Sequence, residues 1–461
     1  MKYVKSLSSV VLMTALASQV AQAAVAVQTE AGAVAGVVNK GVEAFKGIPF
    51  AAAPVGPLRW RAPQPATPWT GVKTADRYGS DCMQKPVAND AAPLGTPPSE
   101  DCLYLNVWKP AQAAKKQPVM VWIYGGGFLN GGASTPVYSG EPLAREGIVV
   151  VSFNYRVGRF GFFAHPQLDK QRAGKEPIGN YGFMDQIAAL EWVKRNIASF
   201  GGDPDNVTLV GESAGGMSVH TLLTSPKSQG LFQKAVIQSG GDGNLMMSDL
   251  NTAQQAGTAF ALSQGIAADD AHAVEKLRAL PADAIRGNLN MMTLFQKPSG
   301  PPTFTLPLYD GHLAVDAVKA YHAGDFAHVP VMVGATTDDL LGPDGAMVKG
   351  ARSVADLLSS KGVPVYRYRF GYVAESLQAQ QPQGARHASE IPYFFGTAAT
   401  KLGEKMTERD RNASQIANGY LVNFIKAGNP NSGLLPDWPV YTPTSRSTLD
   451  FTAQGSASAS W

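Results

Sequence analysis

Residues 207–216 read Val207-Thr208-Leu209-Val210-Gly211-Glu212-Ser213-Ala214-Gly215-Gly216. A short run of apolar and β-branched residues enters a G-x-S-x-G, and Gly215 to Leu223 continues with a helical pattern. A strand that turns directly into a helix is the context in which this motif carries chemistry. Glycine at 211 and 215 removes side chains that would obstruct so tight a turn. Ser213 is then held at the tip with its hydroxyl projecting, and the N-terminus of the following helix points at the same place. The bare pattern is common by chance and would fit a Gly-rich turn; its flanks make Ser213 a candidate nucleophile.

Working outward, apolar runs alternate with helical patterns, the signature of a mostly parallel sheet flanked by helices. Strands are expected at Pro118–Tyr124, Gly147–Tyr155, Val207–Val210, Lys234–Gln238, Pro330–Gly334 and Val363–Phe370. Helices are expected over Tyr181–Ser199, where the apolar stripe has helical spacing, and over Asn412–Ala427, stopped by Gly428 with Pro430 behind it. Residues 242–306 are less periodic and read as an insertion over the sheet edge. No linker or charge block divides residues 24–461, so one α/β domain with excursions is the expected organisation.

Composition excludes several classes. The chain has 461 residues, 44% hydrophobic and 16% charged, which argues against general disorder. Its net charge is +3, and setting aside Lys2 and Lys5 leaves 37 basic against 36 acidic residues. That balance is no footprint for nucleic acid. Lys2 and Lys5, the apolar stretch Val10–Ala17 and the small-x-small Ala21-Gln22-Ala23 form the pattern of a cleaved secretory signal over residues 1–23. The expected product is secreted or periplasmic, and no later apolar run is long enough for stable membrane insertion. In an oxidising compartment Cys82 and Cys102 can pair, closing a loop worth about 3 kcal/mol in the chain-entropy view. Two cysteines without a His cluster make no zinc site, and no metal or cofactor is expected.

A serine hydroxyl needs a base, and the base needs an acid to orient it. In the G-x-S-x-G folds the chain order is Ser, then Asp/Glu, then His. Of seven histidines, His387 alone follows every candidate strand. Asp338 and Asp339 stand just beyond the strand Pro330–Gly334, where catalytic groups gather; order does not choose between them. Gly125-Gly126-Gly127, after an early strand, can offer unobstructed N–H groups to a developing oxyanion together with the N–H of Ala214. Met246, Met247, Met291, Met292 and Phe295 could line a pocket, although such residues are more often core; they are not counted in the site.

With these pieces assembled, the chain resembles the type-B carboxylesterase, cholinesterase-like family of α/β hydrolases. The likeness rests on Phe45-Lys46-Gly47-Ile48-Pro49-Phe50, Glu100-Asp101-Cys102-Leu103-Tyr104-Leu105-Asn106, Asn154-Tyr155-Arg156, Gly201-Gly202-Asp203-Pro204, the Ser213 motif, Gly384 to Gly396 and Ala427-Gly428-Asn429-Pro430-Asn431. The resemblance implies an α/β-hydrolase fold and hydrolysis of a small-molecule carboxylic ester through an acyl-enzyme. It implies Ser213 as nucleophile, His387 as base, Asp339 at the acid position, Gly126, Gly127 and Ala214 as oxyanion donors, Ser239 supporting the carboxylate, and a Cys82–Cys102 disulfide. Two departures stand out. The family's Asp-Glu-Gly reads Asp338-Asp339-Leu340, so a shorter acid must come closer. The stretch from Leu340 to Arg386 is short, which predicts a reduced helical cap and a more open entrance. A specialised hydrolase of bulky esters, polyesters, toxins or amides on the same triad is the alternative reading, and a non-catalytic binding protein the weaker rival.

Overall fold

Continuous apolar runs such as Val119–Ile123 and Val149–Val151 are buried on both faces, as strands in the middle of a parallel sheet must be. The computed structural model describes residues 25–460 except 89, 113–114, 173–176 and 298. The expected signal segment therefore lies outside the described residues. Among the described residues, eleven strands form the main sheet: β1 (Val37–Asn39), β2 (Val42–Pro49), β3 (Tyr104–Pro110), β4 (Gln117–Ile123), β5 (Val149–Phe153), β6 (Gly202–Glu212), β7 (Lys234–Gln238), β8 (Val331–Thr336), β9 (Val365–Phe370), β10 (Thr448–Phe451) and β11 (Ala457–Ser460). Their order is β11-β10-β9-β8-β7-β6-β4-β5-β3-β2-β1. The run from β5 through β10 is parallel, and antiparallel pairings close both ends. This is the α/β-hydrolase arrangement, with a smaller sheet of Val27–Gln28, Ala33–Ala35 and Val72–Thr74 beside it.

Three helices place the chemistry. Helix α1 (Tyr181–Asn196) ends in a 3-10 turn, Ile197–Phe200, closed by Gly201 at φ 83°. Helix α2 (Ala214–Thr224) is buried along its whole length between the sheet and its neighbours. Helix α3 (Glu408–Ala427) starts four residues before the expected Asn412, because Thr407 and Asp410 cap it reciprocally. It stops at Gly428, φ 70°, as the sequence predicts.

The 242–306 excursion differs from expectation. Its helices Leu250–Ser263, Ala273–Ala279 and Ala282–Arg286 pack against the loop that follows β5, at the carboxyl ends of the strands. Two buried arginines hold it there. Arg59 Nη1 donates to the carbonyls of Arg278 at 3.1 Å and Leu280 at 2.8 Å while its fork grips Glu100. Arg159 donates to the carbonyls of Ile285 at 2.9 Å and Thr303 at 2.8 Å. Carbonyls at the ends of short helices lack intrahelical partners, and a guanidinium can satisfy several at once. Arg156 beside them makes a bidentate pair with Asp185 of α1, both distances 2.8 Å, fixing the loop's base. Cys82 and Cys102 form a disulfide with Cα atoms 4.9 Å apart.

Candidate active site

Strand β6 and helix α2 meet at Ser213, whose φ of 55° and ψ of −122° lie outside the usual regions for a residue with a side chain. The turn is that tight because three backbones converge on it. A Cβ on Gly211 would sit 2.3 Å from the Gly215 carbonyl oxygen, and one on Gly215 would sit 2.0 Å from that of Ile123. The Ser213 N–H donates to the Gln238 carbonyl at 2.9 Å, and its own carbonyl accepts from Met217 at 2.8 Å. Such strain persists only where the surroundings overdetermine it.

The structure brings Ser213, His387 and Asp339 together. Ser213 Oγ lies 2.9 Å from His387 Nε2, and His387 Nδ1 lies 2.6 Å from Asp339 Oδ1. Of the two adjacent acids, Asp339 faces the imidazole; the Asp338 backbone instead pairs with Ala385 and Arg386. Asp339 reaches despite its short side chain because the chain turns immediately after β8. Gly342 donates to the Asp339 carbonyl at 2.8 Å, and Leu341 takes a φ of 67°. The carboxylate is then saturated with donors: Ser239 Oγ at 2.6 Å, Thr336 N–H at 3.0 Å and Oγ at 2.9 Å, and Leu340 N–H at 2.7 Å. Burial by itself would raise the pKa, but the His387 hydrogen bond and charge, with the Ser239 and Leu340 donors, outweigh it and hold Asp339 at about 2.

The turn after β4 stands opposite. Gly126 (φ 111°), Gly127 (φ 63°) and Phe128 (φ 59°) are all left-handed. Among the described residues, the N–H groups of Gly126 and Gly127 donate to no backbone carbonyl. Ala214, fully buried, is the first residue of α2.

Two further carboxyls were not assigned from sequence. Glu212, inside the motif, is buried with Oε1 3.3 Å from His387 Nε2. Glu390, three residues after His387, is fully buried, and neither of its oxygens has a hydrogen-bond partner among the described residues. Burial raises both pKa values, and mutual repulsion with Asp339 adds to it. Burial would depress the His387 imidazole, but the Glu212 charge and the hydrogen bond and charge of Asp339 carry it up to about 9. Both acids stand in quoted motifs, yet nothing in the spacing says which side chains turn inward. Among the described residues no cluster of three or more His, Cys, Asp or Glu side chains could hold a metal ion.

A cavity of about 920 Å³ opens over Ser213. Met246, Met291, Met292, Leu294 and Phe295 line one side; Met247 is not part of its lining. Val87, Ala88 and Ala92 of the disulfide loop, with Ile391, Tyr393 and Leu402, also line it. At the rim Leu341 is 85% exposed, Phe295 65% and Met292 48%, so the apolar surface runs out of the mouth into solvent.

Known proteins resemble this chain in sequence and in fold. The sequence profile described as the carboxylesterase family matches residues 23–350 and 340–460. A fumonisin B1 esterase of Sphingopyxis macrogoltabida is 38% identical, covering 89% of this chain and 83% of its own. The para-nitrobenzyl esterase of Bacillus subtilis (strain 168) is 33% identical, covering 92% and 94%. A solved structure of PNB esterase superposes with a TM-score of 0.83 at 31% identity, covering 94% of this chain and 96% of that one. This chain belongs to the carboxylesterase family and is a carboxylic ester hydrolase.

Proposed function

We propose that ester hydrolysis here runs through an acyl-enzyme on Ser213. His387 takes the Ser213 proton at Nε2 as the hydroxyl attacks the ester carbonyl. Asp339 keeps the other imidazole proton on Nδ1 and stabilises the imidazolium. The N–H groups of Gly126, Gly127 and Ala214 receive the oxyanion, each worth about 3–4 kcal/mol at the transition state. The imidazolium returns its proton to the departing alcohol, and water then cleaves the acyl-serine by the same steps. The observation that carries the assignment is the unbroken line from Ser213 Oγ through His387 to Asp339, 2.9 and 2.6 Å.

The substrate reading is a bulky, largely apolar ester. The cavity's volume and its methionine and aromatic lining favour such a ligand. The name of the para-nitrobenzyl esterase, which points to an aromatic ester, agrees with it. We place the enzyme outside the cytoplasm, on the support of the residue 1–23 pattern and of a disulfide suited to an oxidising compartment.

Ser213→Ala is expected to lower kcat by about six orders of magnitude without lowering the melting temperature. Asp339→Asn should lower it by about four, while Asp338→Asn stays near wild type; steady-state turnover of a nitrophenyl ester measures all three, and the reverse pattern for the two aspartates removes the acid assignment. The base acts only when neutral, so kcat/KM must rise with pH through the His387 titration. Glu212→Gln removes a charge that holds the proton on His387, and the acid limb of the kcat/KM profile should move to lower pH; an unmoved or upward-shifted limb contradicts the coupling. Across a series of nitrophenyl esters, kcat/KM should rise about tenfold or more from acetyl to a bulky aromatic acyl group. Acetate as the best substrate would reject the bulky-ester reading. N-terminal sequencing of exported protein should begin at Ala24, and an intact Met1 there would exclude signal cleavage.

A further inference from the structure

The turn that carries Gly126 and Gly127 does not hold its own shape. Among the described residues, its internal backbone ties are the N–H groups of Leu129 and Asn130, donating to the Gly126 carbonyl at 3.1 and 3.0 Å. Three successive left-handed residues, one of them Phe128, need external support. The Gly158 N–H donates to the Phe128 carbonyl at 2.7 Å, and further support runs through buried side-chain amides, Asn130 first among them. Asn130 is 1% exposed, and its amide bonds two segments remote in sequence. Its Oδ1 accepts the Met291 N–H at 2.7 Å. Its Nδ2 donates to Gln84 Oε1 at 3.1 Å and to the Lys85 carbonyl at 2.8 Å.

Gln84, 3% exposed, completes the frame. Its Nε2 donates to the carbonyls of Cys82 at 2.9 Å and Gly131 at 2.6 Å, and its Oε1 accepts the Gly131 N–H at 2.9 Å. The disulfide loop, the glycine turn and the segment Met291–Phe295 are thus clamped through a pair of buried amides. The clamp bears directly on the donors. A Cβ on Gly127 would lie 2.7 Å from Leu294 Cδ1, so the wall of the substrate cavity packs directly against this glycine, proposed above as an oxyanion donor.

We infer that Asn130 is a positioning residue of the esterase reaction: its amide locks the Met291–Phe295 wall and the Cys82–Lys85 loop to the turn bearing Gly126 and Gly127. The inference rests on the serine-esterase reading above. It follows from the cost of moving a preorganised donor, since donors count only where the oxyanion forms. Replacing Asn130 also leaves the part-buried Met291 N–H and Lys85 carbonyl without that partner, which frees both segments to rearrange.

The test uses the full chain, with active sites counted by a fluorophosphonate. Wild-type turnover of nitrophenyl acetate, lost in Ser213→Ala, first secures the underlying reading; its absence would sink that reading and this inference with it, whereas the outcomes below bear on this inference alone. In Asn130→Ala, kcat per titrated site on the acetate is expected to fall about tenfold, less than the loss from deleting a donor, with KM little changed. Affinity for a trifluoromethyl ketone, which forms the tetrahedral adduct, should weaken by the same factor, and KM for a bulky acyl ester should rise as the Met291 wall loosens. A purely structural role would lower the melting temperature and the titratable fraction but leave kcat per site and the ketone affinity unchanged. If Asn130→Ala does not fold, Gln84→Leu cuts the clamp from the other side and should weaken turnover and ketone binding together. Wild-type kcat per site and ketone affinity in a folded variant would overturn the inference.

Discussion

The rest of the molecule depends on a steric constraint: a strand, a turn and a helix crossing so closely that only glycine fits at Gly211 and Gly215. The clearances of 2.3 and 2.0 Å from a hypothetical Cβ to backbone carbonyls leave no room for any side chain. The constraint forces Ser213 into a positive φ that its own chemistry does not favour. It also aims the start of α2 at the space above the serine. The central parallel strands serve this turn, since β4 and β7 on either side of β6 supply the carbonyls of Ile123 and Gln238 that fix it.

Around that turn the site concentrates negative charge in a region that water barely reaches. Asp339, Glu212 and Glu390 are all nearly or fully buried, and they are handled in two different ways. Asp339 is surrounded by donors and stays ionised. Glu390 has no such donors among the described residues, and burial pushes it towards the neutral acid. The imidazole between them feels the sum. A carboxylate environment that raises a histidine stabilises the imidazolium formed during acyl transfer, at the cost of a base that is less available in acid.

Substrate access is organised by a different device, the burial of cations under a polypeptide excursion. Arg59 and Arg159 reach up from the body of the domain and bond carbonyls at the ends of short helices and, at Thr303, of the loop beyond them. These anchors let a loosely periodic segment hold a fixed position over the strand ends. Its methionines then form a wall that packs against the glycine turn, while Leu341 and Tyr372 from the stretch between Leu340 and Arg386 line the same cavity, Leu341 largely in solvent.

The sequence by itself determined the central strands, the serine turn and the late helix, because each is specified by local sterics or periodicity. Strand Lys234–Gln238 coincides with its expected bounds, and the sheet's parallel core follows from the alternation. The outer strands β1, β2, β3, β10 and β11 escaped, since their pairing is set by neighbours far along the chain. Chain order singled out His387, while the choice between Asp338 and Asp339 required resemblance, and their opposite facing belongs to the turn at Leu341. The roles of Glu212, Thr336, Glu390 and Asn130 were decided only in three dimensions. A hydrogen bond between residues 161 positions apart, such as Met291 to Asn130, leaves no trace in spacing or pattern; it exists because the fold brings two backbones within reach and buries an amide between them.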